Sequence, residues 1–169
     1  MNHPLYTIGY EGSRIDEFVE TLLEAGIRTL VDVREVPISR KKGFSKNILK
    51  EALAEYGISY VHLRGLGDPK PGREAARSGD YPKFRKIFGA HMKTQYAQVD
   101  LQIAGSLAQD VPTCLMCFER DHCTCHRSIV ADHIVGMTGL QVHNLAVERK
   151  SASYESSLFK GQRCLVSLR

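Results

Sequence analysis

The feature that most constrains this chain is an alternation. A short β-prone run ends at glycine or a polar residue, and apolar residues at helical spacing follow. Leu5-Tyr6-Thr7-Ile8-Gly9 is the first such run. Ile15, Phe18, Val19, Leu22 and Leu23 then recur at a 3.6-residue period until Gly26, with Ser13 placed to cap the helix. Thr29-Leu30-Val31-Asp32-Val33 is nearly continuous in apolar residues, as a strand buried on both faces must be. Ser45 precedes a second helical stripe of Ile48, Leu49, Ala52, Leu53 and Tyr56 that stops at Gly57. Ile58–Leu63 is a third strand. Short connections between such units predict right-handed βαβ crossovers and a parallel sheet.

The second half continues the pattern with less regularity. Residues 64–81 are rich in glycine, proline and charge and read as a long insert without secondary structure. Residues 82–110 read as helix in two pieces meeting near Gly89 or Tyr96. Pro112–Phe118 is a fourth strand, and Thr124 caps a helix ending near Gly136 or Gly139. Val142–Leu145 is a fifth strand. The expected fold is therefore a single α/β domain over residues 1–147, a mainly parallel sheet of about five strands flanked by helices. Residues 148–169 form a C-terminal extension, with Gln162–Leu168 as a potential edge strand.

A length of 169 residues suits one core, and 43% hydrophobic with 25% charged residues is ordinary for a globular protein. No apolar run is long enough to span a membrane, and the first residues lack a secretory pattern, so no membrane partner is expected and the expected location is the cytoplasm. Five cysteines are an odd number, and Cys114, Cys117, Cys123 and Cys125 crowd together rather than spreading as a disulfide framework does. Two basic stretches stand out within a net charge of +4. One is Arg34, Arg40, Lys41, Lys42, Lys46 and Lys50. The other is Arg64, Lys70, Arg73, Arg77, Lys83, Arg85, Lys86 and Lys93. They form either a field for phosphates or nucleic acid, or a solvated face.

Ligands of parallel sheets gather at the carboxyl ends of the strands, and polar residues fall there repeatedly. Gly9 and Tyr10 follow the first strand. Asp32 and Arg34 close the second, two apart and so on one face, where they pair with each other or Arg34 grips an anion. Ser39 and Arg40 offer a hydroxyl and a guanidinium beyond Pro37, and His62 ends the third strand. The densest segment is Cys117–Arg127. Cys114 and Cys117, three apart on a strand, point to opposite faces, so they do not form a metal knuckle. Cys125 in the first turn of the next helix is placed to become a nucleophilic thiolate, with His126 as base and Arg127 facing an oxyanion. Asp32 and Glu119 are further acid–base candidates. A metal site is the alternative, drawing on Cys117, Cys123 and Cys125 with His122 or His126. Structural cysteines are the third possibility.

These residues resemble the bacterial and archaeal family known as domain of unknown function 488. The resemblance rests on Thr7-Ile8-Gly9-Tyr10, Val31-Asp32-Val33-Arg34, Pro37, Ser39-Arg40 and Phe44. It continues through Tyr60, Leu66-Gly67, Cys117 with Glu119, and Cys125-His126-Arg127. It implies a compact α/β fold over roughly residues 5–145 and leaves the activity unassigned. Taken together, the residues point to an enzyme acting on a phosphate-bearing substrate, a nucleotide or nucleic acid, with Gly9, Tyr10, Arg34, Ser39, Arg40 and Arg127 binding it. The alternatives are a non-catalytic nucleic-acid-binding module and a metal or thiol-redox protein. No cofactor follows from the sequence.

Overall fold

A computed structural model describes residues 3–148. Its elements follow in the order β1 (Leu5–Gly9), α1 (Ile15–Glu24), β2 (Thr29–Asp32), α2 (Lys46–Ala54) and β3 (Ser59–His62). Then come a 3₁₀ turn (Arg64–Leu66), α3 (Lys70–Arg77), α4 (Tyr81–His91) and α5 (Gln95–Asp110). The chain closes through β4 (Thr113–Cys117), a second 3₁₀ turn (His122–Thr124), α6 (His126–Thr138) and β5 (Val142–Leu145). The five strands form one parallel sheet in the order β3-β2-β4-β1-β5. The expected C-terminal edge strand lies outside the described residues.

Alternation along each strand divides the core in two. Leu30, Cys114 and Met116 pack with Phe18, Leu22, Leu49 and Leu53 of α1 and α2 on one face. Val31, Val33, Leu115 and Cys117 pack on the other face with Phe88 of α4, Leu101 and Ala104 of α5, and Val130 and Ile134 of α6. Cys114 and Cys117 thus belong to opposite layers. The strands β2 and β4 are neighbours, yet the chain leaves β2 for one edge of the sheet and β4 for the other. Such a switch point opens a crevice beyond the strand ends. No helix among the described residues is long and apolar enough to cross a membrane.

The structure departs from the sequence expectations mainly in residues 64–81. They are not a structureless insert: they form a 3₁₀ turn and helix α3. Pro71 lies in the first turn of α3, where its missing N–H costs nothing. Gly72 lies against Asp68, and a Cβ there would fall 2.0 Å from Asp68 Oδ1. The caps also shift. Arg14 and Cys125, not Ser13 and Thr124, are the residues preceding α1 and α6. Ser45 does precede α2, but its hydroxyl donates to the Ser39 carbonyl and accepts from the Ser39 N–H instead of capping the helix.

Candidate functional site at the strand ends

The crevice is a pocket of about 630 Å³. One wall comes from the segment after β2: Glu35, Val36, Ile38, Ser39, Arg40 and Lys41. Asp68 comes from the approach to α3, and Arg73 and Arg77 from the helix itself. Cys117, Phe118, Glu119 and His126 from the end of β4 and the start of α6, together with Tyr10 and Arg34, complete it. The two basic stretches of the sequence therefore meet across one cavity. Arg73 is engaged, pairing with Glu35 and donating to the Asp68 carbonyl. Arg40, Lys41 and Arg77 make no side-chain ion pair among the described residues.

Asp32 and Arg34 build a buried frame beside the pocket. Arg34 donates from Nε to Asp32 Oδ1 at 2.8 Å and from Nη2 to Oδ2 at 2.6 Å. Its Nη1 donates to the Tyr10 hydroxyl at 2.9 Å and the Phe44 carbonyl at 3.0 Å. Tyr60 donates its hydroxyl to Asp32 Oδ2 at 2.5 Å. Burial opposes the charge on Arg34, but the Asp32 carboxylate outweighs it and holds the guanidinium above its ordinary pKa. Burial first, then the Asp32 charge, push the Tyr60 phenol well up. Tyr10 stacks on Phe44, with ring centroids 4.4 Å apart. The His62 ring is spent on the Arg34 carbonyl at 2.8 Å. Two of the three arginines expected to hold an anion, Arg34 and Arg127, are instead engaged by protein groups, and Arg34 is the first, with a partner on each of its three side-chain nitrogens.

Arg127 is the second. It is 1% exposed. Its Nε donates to Thr7 Oγ1, Nη1 to the Glu119 carbonyl and Nη2 to the Arg120 carbonyl at 3.1 Å. It pins the loop after β4 against β1. Gly9 makes that approach possible by lacking a side chain at the contact.

The loop so held brings four reactive groups together. Glu119 Oε2 accepts from the Cys117 thiol at 3.1 Å and lies 3.0 Å from Cys125 Sγ. His126 Nδ1 is 3.8 Å from Cys117 Sγ and 4.0 Å from Cys125 Sγ. Its Nε2 lies 2.9 Å from the Val33 carbonyl. A carbonyl only accepts, so Nε2 carries hydrogen and Nδ1 faces the sulfurs. Burial opposes a charge on Cys125, but hydrogen bonds from Cys117 and His126 and the charges of His126 and Arg127 hold its thiol well below the usual range. Cys117, beside Cys125 and buried, is pushed the other way. Burial works against an imidazolium at His126, yet Cys125 prevails and lifts it to about 9. Burial, reinforced by Cys125, raises Glu119.

Asp68, which no sequence motif marks, joins the same wall. It is 5% exposed and its Oδ1 has no hydrogen-bond partner among the described residues. Burial lifts its pKa to about 6, against the pull of His126. The glycines around it, Gly65, Gly67 and Gly72, were the available signal: a Cβ at Gly67 would fall 2.3 Å from the Glu35 backbone nitrogen.

Cys117, Cys125 and His126 place their potential ligand atoms within 4.8 Å of one another. Cys123 and His122 lie outside that set. They ride on the second 3₁₀ turn, where Cys123 is exposed. Alkylation of the native protein, mapped by mass, is accordingly expected to modify Cys123 at least tenfold faster than Cys114. Cys114 is wholly buried with its thiol pKa pushed up by desolvation, and should react only on unfolding. Equal rates in the folded protein would contradict this packing.

A family model described as "Domain of unknown function DUF488" matches residues 14–134, which takes in every element from β2 to β4 and both sides of the pocket. No curated protein and no solved structure matches the chain. The match covers well over half of the sequence, and the chain belongs to the DUF488 family.

Proposed function

We propose that this protein is an enzyme acting on a phosphate-bearing substrate of nucleotide size, bound in the pocket at the strand ends. One observation carries the reading. Basic side chains with no ion pair among the described residues share a cavity with buried or half-buried, chemically competent groups: Arg40, Lys41 and Arg77 with Cys117, Glu119, His126 and Asp68. About 630 Å³ falls within the size range of small-molecule sites, roughly 300–1,000 Å³. Val36 and Ile38, 49% and 76% exposed, and Phe118 at 43% offer apolar surface for the body of such a molecule beside the cations.

The reading gives phosphate contact to Arg40, Lys41 and Arg77, with Ser39 beside them. Arg34 and Arg127 hold the frame instead, because each of their side-chain nitrogens already has a protein partner. Glu119 and Asp68 are the acid–base groups by position, since both are carboxyls on the pocket wall. Cys125 is 2% exposed and is not among the residues that wall the pocket, which disfavours it as an attacking nucleophile. Asp32, fully buried and bonded to Arg34 and Tyr60, is a framework group in this reading.

Calorimetric titration with a panel of mononucleotides and sugar phosphates tests the proposal. Arg40→Ala and Arg77→Ala are each expected to weaken binding by roughly 10- to 100-fold. That is what losing a charge-assisted contact of about 1.5–3 kcal/mol implies. Both side chains are exposed, so folding should be untouched. Binding of oligonucleotides alone, falling steeply with salt, would replace this reading with a nucleic-acid-binding module.

A further inference from the structure

The cluster under the pocket gathers two cysteine sulfurs, an imidazole and a carboxyl at one point. Two sulfurs each approach the same carboxylate oxygen, at 3.1 and 3.0 Å, and an imidazole nitrogen faces both. We propose that Cys117 Sγ, Cys125 Sγ and His126 Nδ1 bind a zinc ion, with the fourth position open toward the pocket.

The distances fit. Zinc bonds of about 2.3 Å to sulfur and 2.0–2.1 Å to nitrogen, set tetrahedrally, give ligand–ligand edges of roughly 3.5–3.8 Å. The Sγ–Nδ1 edges are 3.8 and 4.0 Å, and all three ligand atoms lie within 4.8 Å. The two Sγ–Nδ1 edges need shifts of a few tenths of an ångström, and the Sγ–Sγ edge closes by at most about 1 Å. The support around it is also that of a metal centre. His126 donates Nε2–H to the Val33 carbonyl, which fixes the tautomer and aims the Nδ1 lone pair at the sulfurs. Cys117 ends a central strand and Cys125 precedes α6, so two rigid elements hold the ligands. Two thiolates and an imidazole select zinc over the hard cations magnesium and calcium.

Three protein ligands leave one position vacant, the pattern of catalytic rather than structural zinc. Cys117 and His126 line the pocket, and the carboxyls of Glu119 and Asp68 flank it. The Asp68 carboxyl is 5% exposed on that wall, with its Oδ1 against Gly72. Binding Zn²⁺ displaces the two protons that the thiol–imidazole set holds, leaving both thiolates and a neutral imidazole; the protons go to solvent. The ion would supply Lewis acidity at the floor of the pocket.

This site stands independently of the substrate proposed above, and its test uses none. The full chain, purified without chelator, should contain close to one zinc per molecule by mass spectrometry of the metal. Stripped and reloaded with Co²⁺, it should show thiolate-to-cobalt charge transfer and the intense visible bands of a tetrahedral ion. Cys117→Ser, Cys125→Ser and His126→Ala should each weaken metal binding by at least 10-fold. The double variant Cys123→Ser/Cys164→Ser should keep it. Glu119→Gln should also keep the metal; its loss would make Glu119 the fourth ligand and overturn the open position. Should a ligand variant fail to fold, the wild-type cobalt spectrum decides. A folded wild-type protein that gives no thiolate–cobalt band overturns the site. Arg40→Ala should retain metal while losing substrate affinity, so failure of either proposal is read separately.

Discussion

Replacing Asp32 with alanine is expected to destabilise the protein by about 3–5 kcal/mol, the range for breaking a buried ion pair from one side. Asp32 is fully buried and accepts four hydrogen bonds: from Arg34 Nε, Nη2 and backbone N–H, and from the Tyr60 hydroxyl. Without it, a guanidinium on a residue only 6% exposed keeps only the Tyr10 hydroxyl and the Phe44 carbonyl as partners. A loss of that size is a large fraction of the roughly 5–15 kcal/mol that stabilises a typical domain. Urea unfolding of Asp32→Ala, of Arg34→Met and of the double variant separates the contributions. The double variant should be more stable than Asp32→Ala alone, because removing the stranded charge restores part of the loss. A cost below about 1 kcal/mol for Asp32→Ala would mean that water reaches Arg34 and that the frame is not closed. The effect should extend to the pocket. Arg34 holds the Phe44 carbonyl, and Phe44 closes the loop that carries Ser39, Arg40 and Lys41.

What the sequence made legible follows from which forces are local. The strands were readable because a parallel strand covered on both faces carries a run of apolar residues, as Leu30–Val31 and Cys114–Cys117 do. Strand ends were therefore readable too, and Tyr10, Arg34, Ser39, Arg40 and Glu119 beyond them line one pocket, while Gly9, Asp32, His62 and Arg127 do not. Helix α3 was not legible. Only Gly72 and Ala75 are buried in it, and it carries proline and glycine in its first turn, so neither periodicity nor composition marks it. Asp68 was missed with it. The partners of Arg34 and Arg127 were equally hidden. An arginine at a sheet end looks the same in sequence whether it meets a substrate or a carbonyl of its own chain. For Arg127, the outcome is set by how closely the Glu119–Arg120 backbone passes β1. The cysteine–histidine run posed a third kind of problem. Contiguity put Cys123 and His122 on equal terms with Cys117, Cys125 and His126. The 3₁₀ turn at His122–Thr124 separates them by turning Cys123 outward while β4 and α6 aim the other three inward.

Gly9→Ala should be the most damaging single-methyl change in the chain, and it tests how tightly that loop is held. A Cβ at Gly9 would lie 1.8 Å from the Glu119 carbonyl oxygen, 2.6 Å from its carbon and 2.9 Å from Arg120 Cα. All three are backbone atoms, so no rotamer change relieves the clash. Arg127 grips the Glu119 and Arg120 carbonyls from the far side, and Gly9 itself is in register with Cys117 in the sheet. The loop has to leave Arg127 or β1 has to leave β4. We expect a loss of about 3 kcal/mol, at the upper end of ordinary overpacking, measured by urea unfolding. Gly26→Ala is the matched control. Gly26 has φ of +69° with nothing within 4 Å of an added methyl, so only backbone strain of about 1 kcal/mol applies. Gly9 is not among the positive-φ glycines, so its cost comes from contact alone. The two variants therefore separate steric approach from conformational strain. If Gly9→Ala costs no more than Gly26→Ala, the loop yields freely. Glu119 would then not be fixed over Cys117 and Cys125 by the backbone, and the pocket floor would have to be organised by its ligand. If the order holds, substrate affinity should fall along with stability in Gly9→Ala and stay near wild type in Gly26→Ala, because only the first displaces Glu119.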